Sequence, residues 1–484
     1  MRKLARFANA DGGSVKARVV RSGIWVGISQ AGVTLLGTLR SVVLARLLTA
    51  DMFGLMGLAG IVVKTIETFT RPGVSQALIA RQESFEDARD TAFTMLFLRG
   101  IVLAALLALA APWVARFYDK PELTPMLLVL SLTLVITGLK NINTIARERE
   151  LDFRRLSYLS QSTTLVGVLV TIGLAWWLRN VWSLVIGAVV TVTLDTLLSY
   201  VFIPGRPRFA FDREIARSLF KYGKFITGSS AVSFIALELD SALIGKVLGT
   251  EQLGYYTLAM TLATVASVTF SKLTSGIMMP AYSKLQADRP ALQRAFLRTL
   301  SLLMFAIAPA TLGLIAVAEP LIRWVFGEAW MPAVAPLQML ALFGLFRALM
   351  VFNGYFFEGV GQPGIAFRLA LLRLAIIVPL ILPAMHSRGL AGAALVVMIS
   401  AAAQWIAGLF YLRRHLETNI SRVFAHIWRP IWSAAAMAGI VFAVGFGTVH
   451  WNAFSLAAMV AAGVLVYGAI NWRQIIELRR ERIS

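Results

Sequence analysis

The chain has 484 residues, 58% of them hydrophobic, and its 46 Lys and Arg outweigh 25 Asp and Glu to give a formal net charge of +21. Mean hydropathy is +0.73, more apolar surface than a water-soluble fold can hide, so the solvent for most of this chain is a bilayer. The absence of cysteine excludes disulfide frameworks, thiolate metal sites and thiol catalysis, and the positive charge forms no basic stripe interleaved with aromatics, which excludes a nucleic-acid partner.

Residues 1–21 hold six Lys and Arg and no cleavable hydrophobic region, and read as a cytoplasmic tail instead of a signal peptide. Apolar runs long enough to cross about 30 Å of hydrocarbon follow. They lie at 22–45, 53–80, 92–115, 125–146, 157–178 and 181–203. A basic linker at 204–221, "PGRPRFAFDREIARSLFK", leads to a second series at 223–248, 253–281, 293–317, 333–357, 366–385 and 389–412. After a basic loop at 413–428 come spans at 429–449 and 453–471, then a tail at 472–484. The expected protein is an all-α polytopic membrane protein of about 14 helices. It has an N-lobe at 22–203, a C-lobe at 222–412 and a C-terminal pair at 429–471.

Lys and Arg fall mainly on alternate loops, including "RERELDFRR" (147–155), the 204–221 linker and "RRHLETNISR" (413–422). This asymmetry predicts cytoplasmic placement of those loops and of both termini. Trp113, Trp182, Trp428, Trp451 and Trp472 stand near span ends, as an interfacial belt requires. The outward loops are short, the longest lying around "RWVFGEAWMP", which argues against a membrane polymerase or glycosyltransferase. His386, His415, His426 and His450 all lie in loops or at span ends, and neither GxxxxGK[ST] nor HExxH is present. The expectation is therefore a non-enzyme without cofactor or metal, whose uphill work draws on an H+ or Na+ gradient or on consumption of the cargo outside.

The two series are copies. "RSVVLARLLTADMFGLMGLA" from Arg40 and "DSALIGKVLGTEQLGYYTLA" from Asp240 match at an offset of 200 residues, with one charge reversed at Arg40 and Asp240. At the same offset Lys64, Glu67, Arg71 and Ser75, spaced along one helical face, become Thr264, Ser267, Ser271 and Ser275. "APWVARFYDKPEL" and "AEPLIRWVFGEAW" also occupy matching places. An even number of helices per copy makes them parallel repeats about an axis along the membrane normal.

The runs "FGLMGLAGIVVKTIETFTRPGVSQALIARQE", "APWVARFYDKPELTPMLLVLSL", "RERELDFRRL" and "ELDSALIGKVLGTEQLGYYTLA" resemble the polysaccharide-transporter branch of the MOP superfamily. That branch comprises lipid-linked oligosaccharide flippases and exopolysaccharide exporters of the colanic-acid type. The resemblance covers about residues 20–415. It implies a MOP-type fold of two parallel six-helix repeats around a cationic cavity, in the bacterial cytoplasmic (inner) membrane. The implied cargo is undecaprenyl-pyrophosphate-linked oligosaccharide, with a polysaccharide polymerase and glycosyltransferases as partners beside the membrane lipids. The C-terminal pair resembles the extra helices of lipid II flippases. One departure is Glu238, where the family often has Asn or Asp.

Charges within the spans are costly and mark function by default. Candidate substrate-binding residues are Lys64, Arg71, Arg99, Lys272 and Arg347, with Ser267 and Ser271 as hydroxyl contacts. Candidate gate and coupling residues are Arg40 and Asp240, expected to pair, together with Glu238 and Glu67. Arg298 and Arg373 are expected to snorkel to the interface, Lys140 to lie near it, and Asp195 to bond neighbouring hydroxyls. Alternative functions are export of drugs or other lipid-linked precursors within the same superfamily, and a non-transporting scaffold for polysaccharide synthesis.

Overall fold

The computed structural model describes residues 15–69, 74, 78, 85–150, 152–416, 419–446 and 453–472. Helices make up the fold, with no strand among the described residues. They are α1 (Val15–Leu47), α2 (Ala50–Phe69), α3 (Phe85–Phe117), α4 (Leu123–Gly138), α5 (Asn143–Arg149), α6 (Phe153–Leu178) and α7 (Trp182–Phe202). Then follow α8 (Arg213–Val247), α9 (Thr250–Leu285), α10 (Arg289–Leu321), α11 (Val334–Gly359), α12 (Pro363–Leu416), α13 (Ile420–Phe446) and α14 (Ala453–Ile470).

Among the described residues each expected span overlaps a helix, that at 53–80 as far as Phe69 and that at 429–449 as far as Phe446. The fourth is bent by 60° between α4 and the short α5. The eleventh and twelfth run together as α12, whose two halves meet at Gly389, with φ 56° and ψ −137°. Among the described residues nine helices are long and apolar enough to cross a membrane, or ten with the bent pair as one span. The protein is a multi-pass membrane protein with an all-helical polytopic fold.

Two compact units divide the chain, Met1–Gly254 and Tyr255–Ser484, so the boundary lies within α9. Lipid tails give helices no hydrophobic reason to associate, so close backbone approach through small residues replaces it. The first unit uses this device reciprocally. A methyl carbon on Gly100 of α3 would lie 2.5 Å from Leu134 O of α4, and one on Gly138 would lie 2.8 Å from Leu96 O. Gly167 of α6 faces Thr191 of α7, while Gly187 of α7 faces Thr171 of α6, and each threonine hydroxyl donates to the glycine carbonyl one turn back on its own helix.

The third crossing joins the two copies of the repeat. Gly54 of α2 lies against the carbonyl of Thr250, and Gly254 of α9 lies against the carbonyl of Ala50. Residue n thus meets residue n + 200 + 4 or n + 200 − 4, so the contact between α2 and the first turns of α9 is reciprocal.

The second unit is held by an aromatic cluster in which Tyr282, Phe296, Phe352 and Phe356 are buried ring against ring. Pro290 and the Asp288 side chain, which accepts from Ala291 N at 3.0 Å, start α10. The C-terminal pair packs on α10: Met437 of α13 reaches Gly313 and Gly463, and Tyr467 of α14 donates to Phe305 O at 3.0 Å.

Gly54→Ala and Gly254→Ala should each push α2 and α9 apart, an overpacking cost of about 1–3 kcal/mol. Gly60→Ala is the control, because nothing lies within 4 Å of its added carbon. Thermal unfolding of the purified protein in detergent is expected to drop for the first two and stay unchanged for the third. Equal midpoints for all three would contradict the crossing.

Candidate functional site

The charged face of α2 is answered from α8. Lys64 Nζ lies 3.3 Å from Glu238 Oε1, with side-chain exposures of 60% and 26%. The structure thereby joins a residue expected to bind substrate with one expected to serve gating or coupling. Glu67, one turn further along α2, offers its carbonyl to Arg99 of α3, whose Nη2 donates at 2.8 Å. Arg99 is therefore anchored on a carbonyl in the last described turn of α2.

The expected Arg40–Asp240 pair is absent from the ion pairs of the described residues. Arg40 lies on the exposed side of α1, whereas Asp240 is 1% exposed. Two residues of helix turn the side chain by about 200°, so Glu238 and Asp240 face different neighbours. Glu238 meets a cation of the first repeat, Lys64.

The hydroxyl stripe on α9 is turned inward on its own helix. Thr264 donates to Met260 O at 2.7 Å, Ser267 to Thr264 O at 2.9 Å and Ser271 to Ser267 O at 2.8 Å. Ser267 is only 2% exposed. These three protons are held by carbonyls of the same helix. Arg347 is half-buried on α11. Arg71, Ser75 and the side chains of Lys272 and Ser275 lie outside the described residues.

Two charges behave unlike their sequence expectation. Lys140 Nζ pairs with Asp195 Oδ2 at 2.6 Å, and Thr163 Oγ1 adds a 3.5 Å contact to the other carboxylate oxygen. Asp195 thus has the hydroxyl expected for it, but also a cation from 55 residues away in sequence. Arg373 does not snorkel: it is 2% exposed and stacks 5.2 Å from the centre of the Phe343 ring.

Sequence reasoning missed a second charged set, at the loop end of the α2–α9 crossing. Thr250 donates to Asp51, Lys120 lies 3.6 Å from Asp51, and Lys246 lies 2.7 Å from Asp119. Lys246 also sits 5.3 Å from the centre of the Phe117 ring. The signal was present in the repeat itself, because the acidic position Asp51 recurs as Glu251 and the basic position Arg46 as Lys246. Among the described residues no group of three or more His, Asp or Glu is arranged to hold a metal ion.

Many apolar helices, paired glycine crossings and cations set among the spans define a polytopic helical membrane protein. The chain belongs to the family described as polysaccharide biosynthesis protein, whose model matches residues 43–335. It is 26% identical over 459 residues to the teichuronic acid biosynthesis protein TuaB of Bacillus subtilis, covering 94% of this chain and 95% of that protein. It is 23% identical to the lipopolysaccharide biosynthesis protein WzxC of Escherichia coli, over 89% of this chain and 88% of the other. Succinoglycan biosynthesis transport protein ExoT of Rhizobium meliloti is 26% identical over 74% of this chain and 73% of its own length. Among solved structures, lipid II flippase MurJ in an inward closed conformation superposes with a TM-score of 0.74 at 16% identity, over 94% of this chain and all of that one. An inward-facing multidrug resistance MATE transporter of the MOP superfamily gives 0.59 at 17% identity, over 86% and 99%.

The Lys140–Asp195 pair should act as one structural unit. Both side chains are about one-third exposed (33% and 31%), so Asp195→Ala should cost less than the about 3–5 kcal/mol of a fully buried pair. Thermal midpoints of Lys140→Met, Asp195→Ala and the double variant should show the double less damaged than the sum. Simple additivity would show the two residues to be independent.

Proposed function

We propose that this protein is a flippase that moves oligosaccharide repeat units linked through pyrophosphate to undecaprenol across the cytoplasmic membrane. The units feed assembly of a surface polysaccharide: exopolysaccharide, capsule or O-antigen. Membership of the polysaccharide biosynthesis family supports the reading, as do the names of TuaB, WzxC and ExoT. The observation that carries it is Lys64 held by Glu238 between two spans. A diphosphate on a lipid needs a cation to cross hydrocarbon, and this cation has a partner that an incoming anion can replace.

The mechanism follows from that exchange. The polyprenyl tail stays in lipid while the diphosphate passes along the α2 face, meeting Lys64 and then Arg71, seven residues further along the chain. Lys64 offers a mobile point charge and Arg71 a planar fork, suited to successive grips instead of one tight trap. When phosphate takes Lys64, Glu238 requires a new counter-charge, and a proton or sodium ion supplies it. Glu67, on the same face, is a second coupling carboxylate. Arg40, Asp240, Lys272 and Arg347 keep subsidiary places in gating and binding. No bond is made or broken by the protein itself. Glycosyltransferases supply the cargo on the cytoplasmic side, where both termini lie, and a polymerase consumes it outside. The Asp51–Thr250 end of the α2–α9 crossing then faces outward. A cationic drug is disfavoured as cargo, because the spans hold more basic than acidic groups.

Complementation of a flippase-deleted strain tests this, with membrane levels checked by immunoblot and surface polysaccharide as the readout. Arg71→Ala should stop export and Arg71→Lys retain part of it. Lys64→Ala should impair export most when cargo supply is low. Glu238→Gln should still insert, while export loses its dependence on the ion gradient. Normal export by the Lys64→Ala, Arg71→Ala double variant would sink the reading.

A further inference from the structure

The connection from α7 to α8, residues 203–212, is not helical and lies strapped across the start of α3. Arg208 N donates to Asp90 Oδ1 at 3.2 Å, Ala210 N to Thr94 Oγ1 at 3.1 Å and Asp212 N to Thr91 Oγ1 at 3.1 Å. Every second amide thus turns to the same helix, as in an extended chain. Ile203 (φ −121°, ψ 114°) and Asp212 (φ −100°, ψ 121°) are extended at its two ends. Asn141 Nδ2 holds the upstream end through Ile203 O and Gly205 O, at 3.0 Å each. Downstream, the Asp212 side chain caps α8 by accepting from Glu214 N and Ile215 N. The strap is fixed at both ends and along its length.

Side chains alternate on such a chain, so Phe209 and Phe211 share one side while Arg208 and Ala210 take the other. The Phe209 ring centre lies 5.1 Å from that of Phe93 and 5.3 Å from that of Phe97, both on α3. Even so, Phe209 is 64% exposed and Phe211 59%. Two neighbouring rings left bare on a fixed segment call for a solvent other than water.

The helix beneath identifies that solvent. On α3 the exposed residues Leu98, Ile101, Val102, Leu106, Leu109 and Trp113 recur at helical spacing, as a lipid-facing stripe does. Thr94, which holds the strap, stands one turn before Leu98 and so ends that stripe. From Thr94 to Trp113 is 19 residues (113 minus 94), about 28 Å of helix, which is one hydrocarbon thickness. With Trp113 at one boundary of the hydrocarbon, the strap lies at the other.

The backbone limits its depth. The amides of Phe209 and Phe211 alternate with those bound to α3, and irregular backbone facing lipid is excluded from the hydrocarbon interior. The headgroup–acyl boundary suits both parts, with water for the peptide groups and hydrocarbon for the rings. Charge does not draw the strap there. Arg89, Arg206 and Arg208 are matched in number by Glu86, Asp87 and Asp90, and Arg213 and Arg217 by Asp212 and Glu214.

We propose that Phe209 and Phe211 bind the acyl chains of membrane phospholipid, which makes the α7–α8 connection an interfacial anchor indifferent to headgroup charge. The anchor belongs to the first unit alone and stands whatever the protein transports.

The sequence contains no cysteine, so one introduced cysteine takes one nitroxide label. Electron paramagnetic resonance of the full chain in liposomes then compares relaxation by oxygen, which enters hydrocarbon, with relaxation by a water-soluble nickel chelate. Labels go at Phe211→Cys, at its neighbour Ala210→Cys and, as the mid-stripe reference, at Val102→Cys, all exposed positions outside the packed interior. The label at 211 is expected to lose nickel relaxation and keep oxygen relaxation, as at 102, whereas the label at 210 keeps nickel relaxation. Phe209→Cys reads the same side independently and should match 211. The pattern should be the same in phosphatidylcholine and in phosphatidylglycerol. Equal nickel relaxation at 210 and 211 would put the rings in water and overturn the anchor. Loss of both nickel and oxygen relaxation at 211 would mean that protein covers the rings, and would overturn the lipid assignment. Shielding of 211 in phosphatidylglycerol alone would show attachment by charge and overturn the indifference to headgroups.

Discussion

The reciprocal contact of Gly54 with Thr250 and of Gly254 with Ala50 sets the geometry on which the rest of the first unit depends. It lets α2 and the start of α9 touch backbone to backbone. Only the short turn through Leu248 and Gly249, the latter with φ +90°, separates α9 from α8. Pinning Thr250 therefore pins α8 alongside α2. Lys64 lies ten residues past Gly54 and Glu238 twelve before Thr250, about 15 Å and 18 Å from the crossing. Their levels coincide, and the ion pair follows.

Duplication explains why this contact is mutual, and divergence explains why the site is not. The first copy kept Lys64 and Glu67 where the second has Thr264 and Ser267. Charged groups between spans must find partners from other helices, whereas hydroxyls satisfy themselves on the carbonyl one turn back. Lys64 is consequently tied to α8 through Glu238 and the backbone at Glu67 to α3 through Arg99, while Thr264, Ser267 and Ser271 each donate to a carbonyl of their own helix.

Much of the fold was legible because bilayer spans announce themselves by length and hydropathy, and a 200-residue offset survives in the conserved small residues. The bend between α4 and α5 was not legible, since Asn141, which fastens the chain there through Ile203 and Gly205, lies 62 and 64 residues before its acceptors. Candidate charges were found individually and paired poorly. Arg40 and Asp240 correspond across the repeat, but correspondence is not contact, and helical phase gave the cation's partner to Glu238. Lys140 with Asp195 needed α4 beside α7, which no periodicity in either segment encodes. Arg373 was expected at the interface because long basic side chains often reach it, yet its position over Phe343 keeps it inside the second unit.

The central claim is that the chain alone carries a lipid-linked diphosphate across a bilayer, with Lys64 exchanging Glu238 for phosphate. Its most direct test is transport by the purified protein in proteoliposomes loaded with a fluorescent undecaprenyl-diphosphate-linked saccharide, read by quenching of label reaching the outer leaflet. The account expects protein-dependent movement that Lys64→Ala slows and that the same saccharide on uncharged undecaprenol does not undergo. Movement of both lipids at equal rates, indifferent to Lys64, would contradict it.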